Sequence, residues 1–247
     1  TGTVNKSETS PTELTKMMIG REVFLNIEKK TAKLGNTVLE VKDVWTSGEK
    51  EISKIRGISF DVKAGEIVGI AGIDGNGQSE LIEAIAGLRK VEKGNVILGG
   101  ADITNKSVKK IREAGLTHIP EDRNTRGLNR AFTIADNLVE VELDKTPIVK
   151  GGIVNKPAIN KRAEEMIKKF DIRPADGSLP TSSLSGGNAQ KVVVAREVNL
   201  GGKLLIASQP TRGVDIGAIE SIRSILQDVK EQGLGVLLVS AELEEVM

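Results

Sequence analysis

A glycine-rich loop at 72–79 carries the residues of this 247-residue sequence that are best suited to chemistry. It reads Gly-Ile-Asp-Gly-Asn-Gly-Gln-Ser, follows an apolar run at 66–72 and opens a helical pattern. Main-chain amides of such a loop wrap around phosphate groups, and the helix N-terminus adds a positive dipole end. The loop fits the phosphate-binding pattern G-x-x-x-x-G-K-[ST] except that Gln78 replaces the lysine. A glycine-rich turn that binds nothing explains the loop by itself equally well.

Hydrophobic patterning around the loop predicts an α/β protein. Alternating segments at 38–44 and 58–62 predict antiparallel strands joined by a turn at 48–54, and the run 66–72 predicts a buried central strand. Later apolar segments alternate with helical patterns, which indicates a parallel sheet. These further strands are predicted at 95–100, 115–120, 203–208 and 235–240, and the helices at 79–88, 107–114, 157–170, 188–199 and 217–232.

The composition excludes several classes of site. There are no cysteines, which excludes disulfides, thiol catalysis and cysteine-ligated zinc. His118 is the single histidine, so the chain offers neither a histidine-rich metal site nor a good basis for a Ser-His triad. With 35 basic against 34 acidic residues, the net charge of +1 argues against binding to nucleic acid through overall basicity.

A second motif at 184–188, Leu184-Ser185-Gly186-Gly187-Asn188, precedes the helical pattern 188–199. It resembles the LSGGQ signature of ATP-binding-cassette (ABC) ATPases, with Asn188 where glutamine is common. The order of phosphate loop, signature, hydrophobic strand and Pro-Thr turn is similar to that of the family from Val38 to Met247. The resemblance implies a P-loop NTPase fold of the ABC type, with a mostly parallel sheet core, an antiparallel β flap and a helical subdomain.

The finer resemblance is to the second cassette of importers for simple sugars or nucleosides. Those cassettes have an altered P-loop lysine and segments similar to Pro120-Glu-Asp-Arg123 and Pro210-Thr-Arg-Gly-Val-Asp215. The stretch 13–23 resembles the end of a first cassette. The stretch Ala-Ser-Gln-Pro-Thr at 207–211 favours the nucleoside branch over the ribose branch.

This resemblance implies a division of the chain. We expect 1–36 to be a linker and the tail of a preceding first cassette, with a short amphipathic helix at 13–21; an ordinary ragged N-terminus is the alternative. We expect 37–247 to be the nucleotide-binding domain, with a helical subdomain at about 122–197 and a C-terminal truncation.

Several departures from the family pattern affect hydrolysis. Ser208 and Gln209 stand where the family has the Mg²⁺-holding Asp and the water-polarising Glu, Ala241 where it has the switch histidine, and Glu121 where it has the Q-loop glutamine. A charge-assisted hydrogen bond contributes about 1.5–3 kcal/mol, so Gln78 weakens nucleotide binding roughly 10- to 100-fold. A positioned general base contributes about 10²–10⁴ in rate. The resemblance therefore implies weak binding and impaired hydrolysis at this site.

The resemblance also implies a role for each remaining motif residue. The signature residues Leu184 to Asn188 act in trans on a partner cassette, and Asp215, in the D-loop position, lies at the same seam. The expected cofactors are ATP or ADP, held weakly, with Mg²⁺ possible at Ser79. The residues implied to bind nucleotide are Gly72, Asp74, Gly75, Asn76, Gly77, Gln78, Ser79 and Glu80.

The implied partners are the first cassette of the same polypeptide, transmembrane permease subunits and, indirectly, an extracytoplasmic solute-binding protein. No nucleic acid is expected, and the implied location is peripheral, at the cytoplasmic face of the plasma membrane. Two alternatives stay open. One is an autonomous ATPase that uses Glu121 or Glu242 as base, and the other is a soluble ABC protein acting on ribosomes or DNA.

Other residues have simpler interpretations. Trp45 is predicted to pack against the protein rather than to stack on adenine. His118 is predicted to be a histidine with satisfied hydrogen bonds or one on an edge strand, and not a ligand. The charged stretch 161–169 is typical of a solvated helix face. Surface placement is expected for Arg123 and Arg126, with contact to phosphate or permease as the alternative.

Overall fold

A computed structural model describes the main body of the chain. Most of the helix predicted at 13–21 and of the turn predicted at 48–54 lies outside the described residues. Within the described part, none of the helices combines the length and hydropathy of a bilayer span. The described residues are 2–10, 13–14, 16–17, 33–47 and 54–247.

Strands and helices alternate along most of the chain, as the patterning predicts. The strands are β1 (Thr37–Thr46), β2 (Ile55–Lys63), β3 (Ile67–Ala71), β4 (Lys93–Leu98), β5 (Ala101–Asp102), β6 (Leu116–Ile119), β7 (Val149–Lys150), β8 (Ile153–Val154), β9 (Leu204–Ser208) and β10 (Gly235–Ser240). The helices are α1 (Gln78–Ile85), α2 (Val108–Glu113), α3 (Ile134–Val139), α4 (Lys156–Lys169), α5 (Gly186–Asn199), α6 (Ile216–Glu231) and α7 (Leu243–Val246).

The first sheet is antiparallel and has the order β2-β1-β4-β5. Alternate residues of β1 face the core, so Leu39 and Val41 are buried; a register shift after Val41 then places Val44 on the same side. The segment predicted at 95–100 forms β4 and joins this sheet beside β1, not the parallel sheet. The antiparallel flap is thus larger than the two predicted strands.

The second sheet is parallel, with the order β3-β10-β9-β6. Every residue of β9 and β10 is buried, as expected of strands covered on both faces. The prediction of a central buried strand at 66–72 is wrong, because β3 lies at the edge and is only partly buried. Its apolar composition has another cause: Val68 and Ile70 pack against one core cluster while Ile67 packs against the other.

Two hydrophobic clusters cover the two faces of the parallel sheet. One cluster joins it to the antiparallel sheet, α1 and α2, and the other joins it to helices α3 to α6. The stretch 161–169 lies in α4, which buries Ile159, Ala163, Met166 and Ile167 and exposes charged residues, so the prediction of a solvated face is confirmed. These layers fix the carboxyl ends of the four parallel strands at one edge.

Candidate functional site

A cleft of about 430 Å³ lies where the four parallel strands end. In open α/β sheets, ligands bind at the carboxyl ends of the strands, where the connecting loops diverge. Here the loops after β3, β6 and β9 contribute, together with the last two residues of β10. The lining residues are Gly72, Asp74, Gly75, Gln78, Ser79, Ile82, Glu83, His118, Pro120, Glu121, Asp122, Thr125, Arg126, Ser208, Gln209, Val239 and Ser240.

The loop between β3 and α1 has the backbone of an anion cradle. Gly77 is the N-cap of α1 with φ of 103°, and Gly75 has φ of 89°, both in the left-handed region that favours glycine. Nothing lies within 4 Å of the position that a Cβ on Gly75 would take, so the loop is open on that side. The open main chain at the start of α1 therefore fits a phosphate group.

The Gln78 side chain folds back over this loop. Its Nε2 donates a hydrogen bond to the Ile73 carbonyl at 3.2 Å. A Cβ on Gly72 would lie 2.0 Å from Nε2, so a side chain there would displace the Gln78 amide from this position. Among the described residues, the buried Oε1 of Gln78 finds no hydrogen-bond partner. The amide thus occupies the loop while supplying no charge.

A polar network joins the loop to two neighbouring strands. Ser79 Oγ donates to Glu121 Oε2 at 3.1 Å. Arg212 pairs closely with the other oxygen of Glu121 and lies 3.3 Å from Asp74 Oδ2. Glu121 and Ser79, separated by 42 residues in sequence, are therefore brought into direct contact.

Gln209 connects three of the loops. Its φ of 48° is unusual for a residue other than glycine. The side chain donates to Asp74 Oδ1 at 3.1 Å and accepts from the Ala241 amide at 3.2 Å. Ser208 is buried beside it, and its Oγ has no hydrogen-bond partner in the described part of the chain. Of the five positions that depart from the ABC pattern, Gln78, Glu121, Ser208 and Gln209 thus line one cleft, and Ala241 is joined to it through Gln209.

The far end of the cleft holds charged residues that were not predicted as site residues. Glu83 accepts hydrogen bonds from Arg126 at 2.7 Å and from Arg89 at 2.8 Å. Burial alone would raise the pKa of Glu83, but these two guanidinium groups hold it below its ordinary value. Arg126 is exposed, as expected, and also lines the cleft. No local pattern in the sequence predicts the pair of Glu83 with Arg126, because the two residues are 43 positions apart.

Asp122 and Thr125 form a capped turn at the cleft edge. Asp122 caps a π-helical turn at Arg123–Gly127 and accepts from the amides of Asn124 and Thr125 and from the Thr125 hydroxyl. The Thr125 hydroxyl and the Asn124 amide hold the pKa of Asp122 below its ordinary value. The turn is therefore a fixed wall of the cleft.

His118 also lines the cleft. It lies on β6, an edge strand of the parallel sheet, which agrees with the expected edge placement. It is not a satisfied histidine, because its buried Nε2 has no hydrogen-bond partner among the described residues. Burial lowers the pKa of His118 to about 4, so the ring is neutral at neutral pH.

The signature segment lies apart from this cleft. Ser185 is the N-cap of α5 and accepts from the amide of Asn188 at 3.4 Å and from its side chain at 3.0 Å. A Cβ on Gly187 would lie 2.6 Å from Asp215 Oδ2, and Asp215 caps α6 through the Ala218 amide. The structure therefore brings the signature and Asp215 together on a separate surface. Leu184, Ser185, Gly186, Gly187, Asn188 and Asp215 are all absent from the residues that line the cleft.

Not every predicted loop residue faces the cleft. Asn76, Gly77 and Glu80 are not among its lining residues. Trp45 lies elsewhere on β1, with its Nε1 donating to Asp43 at 2.8 Å and the Lys93 ammonium 5.3 Å from its ring. These contacts agree with a packing role on the flap.

The open loop amides fit an anion, as shown above. Within the described ranges, no three or more His, Cys, Asp or Glu residues are grouped so as to hold a metal ion. The Ser79 hydroxyl is already bonded to Glu121.

Comparison with known proteins identifies the family. The sequence model of the ABC transporter family matches residues 55–212. The chain belongs to the ABC transporter family. Its fold is therefore the ABC cassette fold, and the predicted α/β class is confirmed.

Two solved ABC cassettes agree with this fold. The ADP conformation of the MJ1267 cassette has a TM-score of 0.69 at 22% identity, over 86% of this chain and 84% of that one. The dimeric MJ0796 cassette has a TM-score of 0.71 at 24% identity, over 84% of this chain and 90% of that one.

Curated relatives of this ABC chain are import proteins. It is 44% identical over 99% of its length to the nucleoside import ATP-binding protein NupA of Lactococcus lactis subsp. cremoris. It is 44% identical over 99% of its length to the guanosine import ATP-binding protein NupO of Bacillus subtilis. Identity to the ribose import ATP-binding protein RbsA of Corynebacterium glutamicum is 38% over 98%. The chain spans about half the length of these relatives: 48%, 48% and 45%.

Proposed function

We propose that this chain is a nucleotide-binding cassette of an importer for nucleosides or simple sugars, with an impaired nucleotide site of its own. In this proposal it binds ATP or ADP weakly and does not turn it over at a useful rate. Its signature segment completes the site of another cassette. The single observation that carries the proposal is that Gln78, Ser208 and Gln209 line one cleft beside the open phosphate loop, while the Ala241 amide is bonded to Gln209.

Each residue at the cleft has a limited chemical role in this proposal. Loop amides and the start of α1 bind phosphate oxygens. Gln209 orients the loop through Asp74 and holds the Ala241 amide, but a carboxamide cannot accept the proton of an attacking water. Where Mg²⁺ is bound it would neutralise phosphate charge, and Ser79 is the residue that would contact it. The cleft then holds nucleotide without a general base at position 209.

The signature surface supports the second half of the proposal. Ser185 lies at the N-terminus of α5, a 14-residue helix, and this terminus favours an anion. Gly186 and Gly187 carry no side chains of their own, which lets Arg123 and Asp215 approach the main chain closely. We infer that this surface closes over nucleotide held by another cassette, and that Asp215 lies at that seam.

The partners and location follow as proposals. The chain covers about half of its import relatives, which is consistent with a first cassette in the same polypeptide, with 37–247 as the second. Transmembrane permease subunits and, indirectly, an extracytoplasmic solute-binding protein complete the importer at the cytoplasmic membrane face. The higher identity to the nucleoside and guanosine import proteins than to the ribose import protein favours a nucleoside as solute.

One alternative has an observation in its favour. Glu121 lines the cleft with its carboxylate 3.1 Å from Ser79 Oγ, as a base of an autonomous ATPase would need. Glu242, the other candidate base, does not line the cleft. Both carboxylate oxygens of Glu121 already have partners, Arg212 and Ser79, which favours the impaired site.

Calorimetry and a turnover assay on the purified chain test the proposal. We expect ATP and ADP to bind more weakly than micromolar, with turnover at background. Sub-micromolar affinity without dependence on Mg²⁺ contradicts the role given to Gln78. Turnover that is lost in Glu121→Gln and retained in Arg130→Gln establishes the alternative instead.

A further inference from the structure

Arg123 joins three segments that are distant in sequence. It begins the π-helical turn at the cleft edge and is half-buried. Its Nη1 donates to the carbonyl of Arg212 at 2.7 Å, and its Nη2 donates to the carbonyl of Gly213 at 3.0 Å. These carbonyls belong to the segment 212–215, which ends at the α6 cap. The side chain lies at the surface, as expected from the sequence, and two hydrogen bonds hold it there.

The same guanidinium group approaches the signature segment. A Cβ on Gly186 would lie 3.0 Å from Nη2 of Arg123 and 3.1 Å from the Gly213 carbonyl oxygen. Any side chain at 186 would therefore press on both. The second signature glycine, Gly187, is closer still to Asp215, since a Cβ there would lie 2.6 Å from Oδ2. Arg123 thus lies at the junction of the signature and the segment 212–215.

The main chain of Arg123 is held from the cleft side. Asp122, the residue before it, accepts from the Asn124 amide at 2.8 Å and from the Thr125 hydroxyl at 2.7 Å. Asp122 and Thr125 both line the cleft. The arginine therefore extends from a fixed turn at the cleft wall to the separate surface that carries the signature.

Arginine suits this position for a geometric reason. Its planar guanidinium offers two parallel N–H donors, which here reach two consecutive carbonyls. A lysine offers a single point charge and can hold only one of them well. Removal of both donors would leave the carbonyls of Arg212 and Gly213 without these bonds.

We propose that Arg123 is a positioning residue that holds the segment 212–215 against the signature segment and ties both to the cleft wall. This inference concerns the arrangement of the chain itself. Its consequence for another cassette rests on the proposed function. Arg123 need not contact nucleotide for this role.

Amide hydrogen exchange of the full chain tests the inference. In Arg123→Met, exchange should accelerate at least about tenfold in peptides covering 184–190 and 212–219, since two charge-assisted bonds are lost. Arg123→Lys should give a smaller acceleration in the same peptides. Arg130→Met is the matched control, because the Arg130 side chain donates to the nearby Asn124 side chain at 3.4 Å and makes no hydrogen bond to either region within the described part of the chain.

The outcomes separate the inference from the proposed function. Unchanged exchange in both regions overturns the inference. If Arg123→Met fails to fold, unchanged exchange in Arg123→Lys overturns it instead. In the assembled importer, Arg123→Met should also lower ATP turnover by the other cassette at least about tenfold. Faster exchange in Arg123→Met together with normal ATP turnover by the other cassette would support the positioning role of Arg123 and contradict its role in trans.

Discussion

The substitution Gln78→Lys tests directly whether the loop at 72–79 binds the phosphates of a nucleotide. In the present structure the Gln78 amide donates to the Ile73 carbonyl, and its Oε1 is buried without a partner among the described residues. A lysine is one bond longer and brings a positive charge to the space beside Gly72. The Ile73 carbonyl loses one neutral hydrogen bond, and since Ile73 is 78% exposed, water can replace it.

The expected gain follows from the charge. A hydrogen bond to a charged group contributes about 1.5–3 kcal/mol, so ATP should bind roughly 10- to 100-fold more tightly to Gln78→Lys. Isothermal titration calorimetry with ATP and ADP measures this change. Part of the gain should disappear at high salt, because exposed charges are screened. Turnover should stay at background, since Gln209 is unchanged.

The matched control is Gln78→Met, which has a similar size and no charge. Its affinity should stay within about threefold of the unmodified chain. Equal affinities of the lysine and methionine variants would refute the assignment of this loop as the phosphate site. Rapid turnover by Gln78→Lys alone would mean that another residue acts as base.

Three further predictions concern the signature surface and the cleft wall. In the assembled importer, Ser185→Arg should abolish solute uptake, because a bulky cation blocks closure over the other site; normal uptake contradicts the role in trans. Gly187→Ala should lower the free energy of unfolding by about 1–3 kcal/mol in urea titrations, because its Cβ would lie 2.6 Å from Asp215, whereas Gly177→Ala, with contacts of 3.4 Å, should cost less. The third prediction concerns the pH dependence of stability. In the unfolded chain His118 is protonated below its ordinary pKa of 6.5, whereas in the folded chain its pKa is about 4. Between pH 6.5 and about 4 the unfolded state therefore binds more protons than the folded state. As the pH falls from 6.5 to about 4, the free energy of unfolding of the unmodified chain should therefore decrease by about 3 kcal/mol more than that of His118→Phe. If the two proteins lose stability in parallel over this range, His118 is not the cause.

Local patterning predicted much of the fold. The segments 203–208 and 235–240 form β9 and β10, because strands buried on both faces need unbroken apolar runs. The glycine loop is also where the spacing places it, since Gly75 and Gly77 adopt backbone angles that other residues avoid. Such features depend on residues close together in sequence.

Features that depend on distant residues were not predictable in this way. The edge position of β3 depends on its pairing with β10, and β10 lies far along the chain, so local patterning does not predict it. The bridge from Arg123 to the carbonyls of Arg212 and Gly213 spans 89 and 90 residues. The resemblance to ABC cassettes supplied the site residues, but it left out Glu83, His118 and the role of Arg123.

Single-turnover ATP hydrolysis across a repair series tests the central claim, the impaired site, most directly. The series adds Gln78→Lys, Ser208→Asp, Gln209→Glu and Ala241→His stepwise to the chain, with and without a paired cassette. Residues of one catalytic unit act non-additively, so we expect measurable hydrolysis only when all four changes are combined and the paired cassette is present. Robust hydrolysis by the unmodified chain would contradict the account.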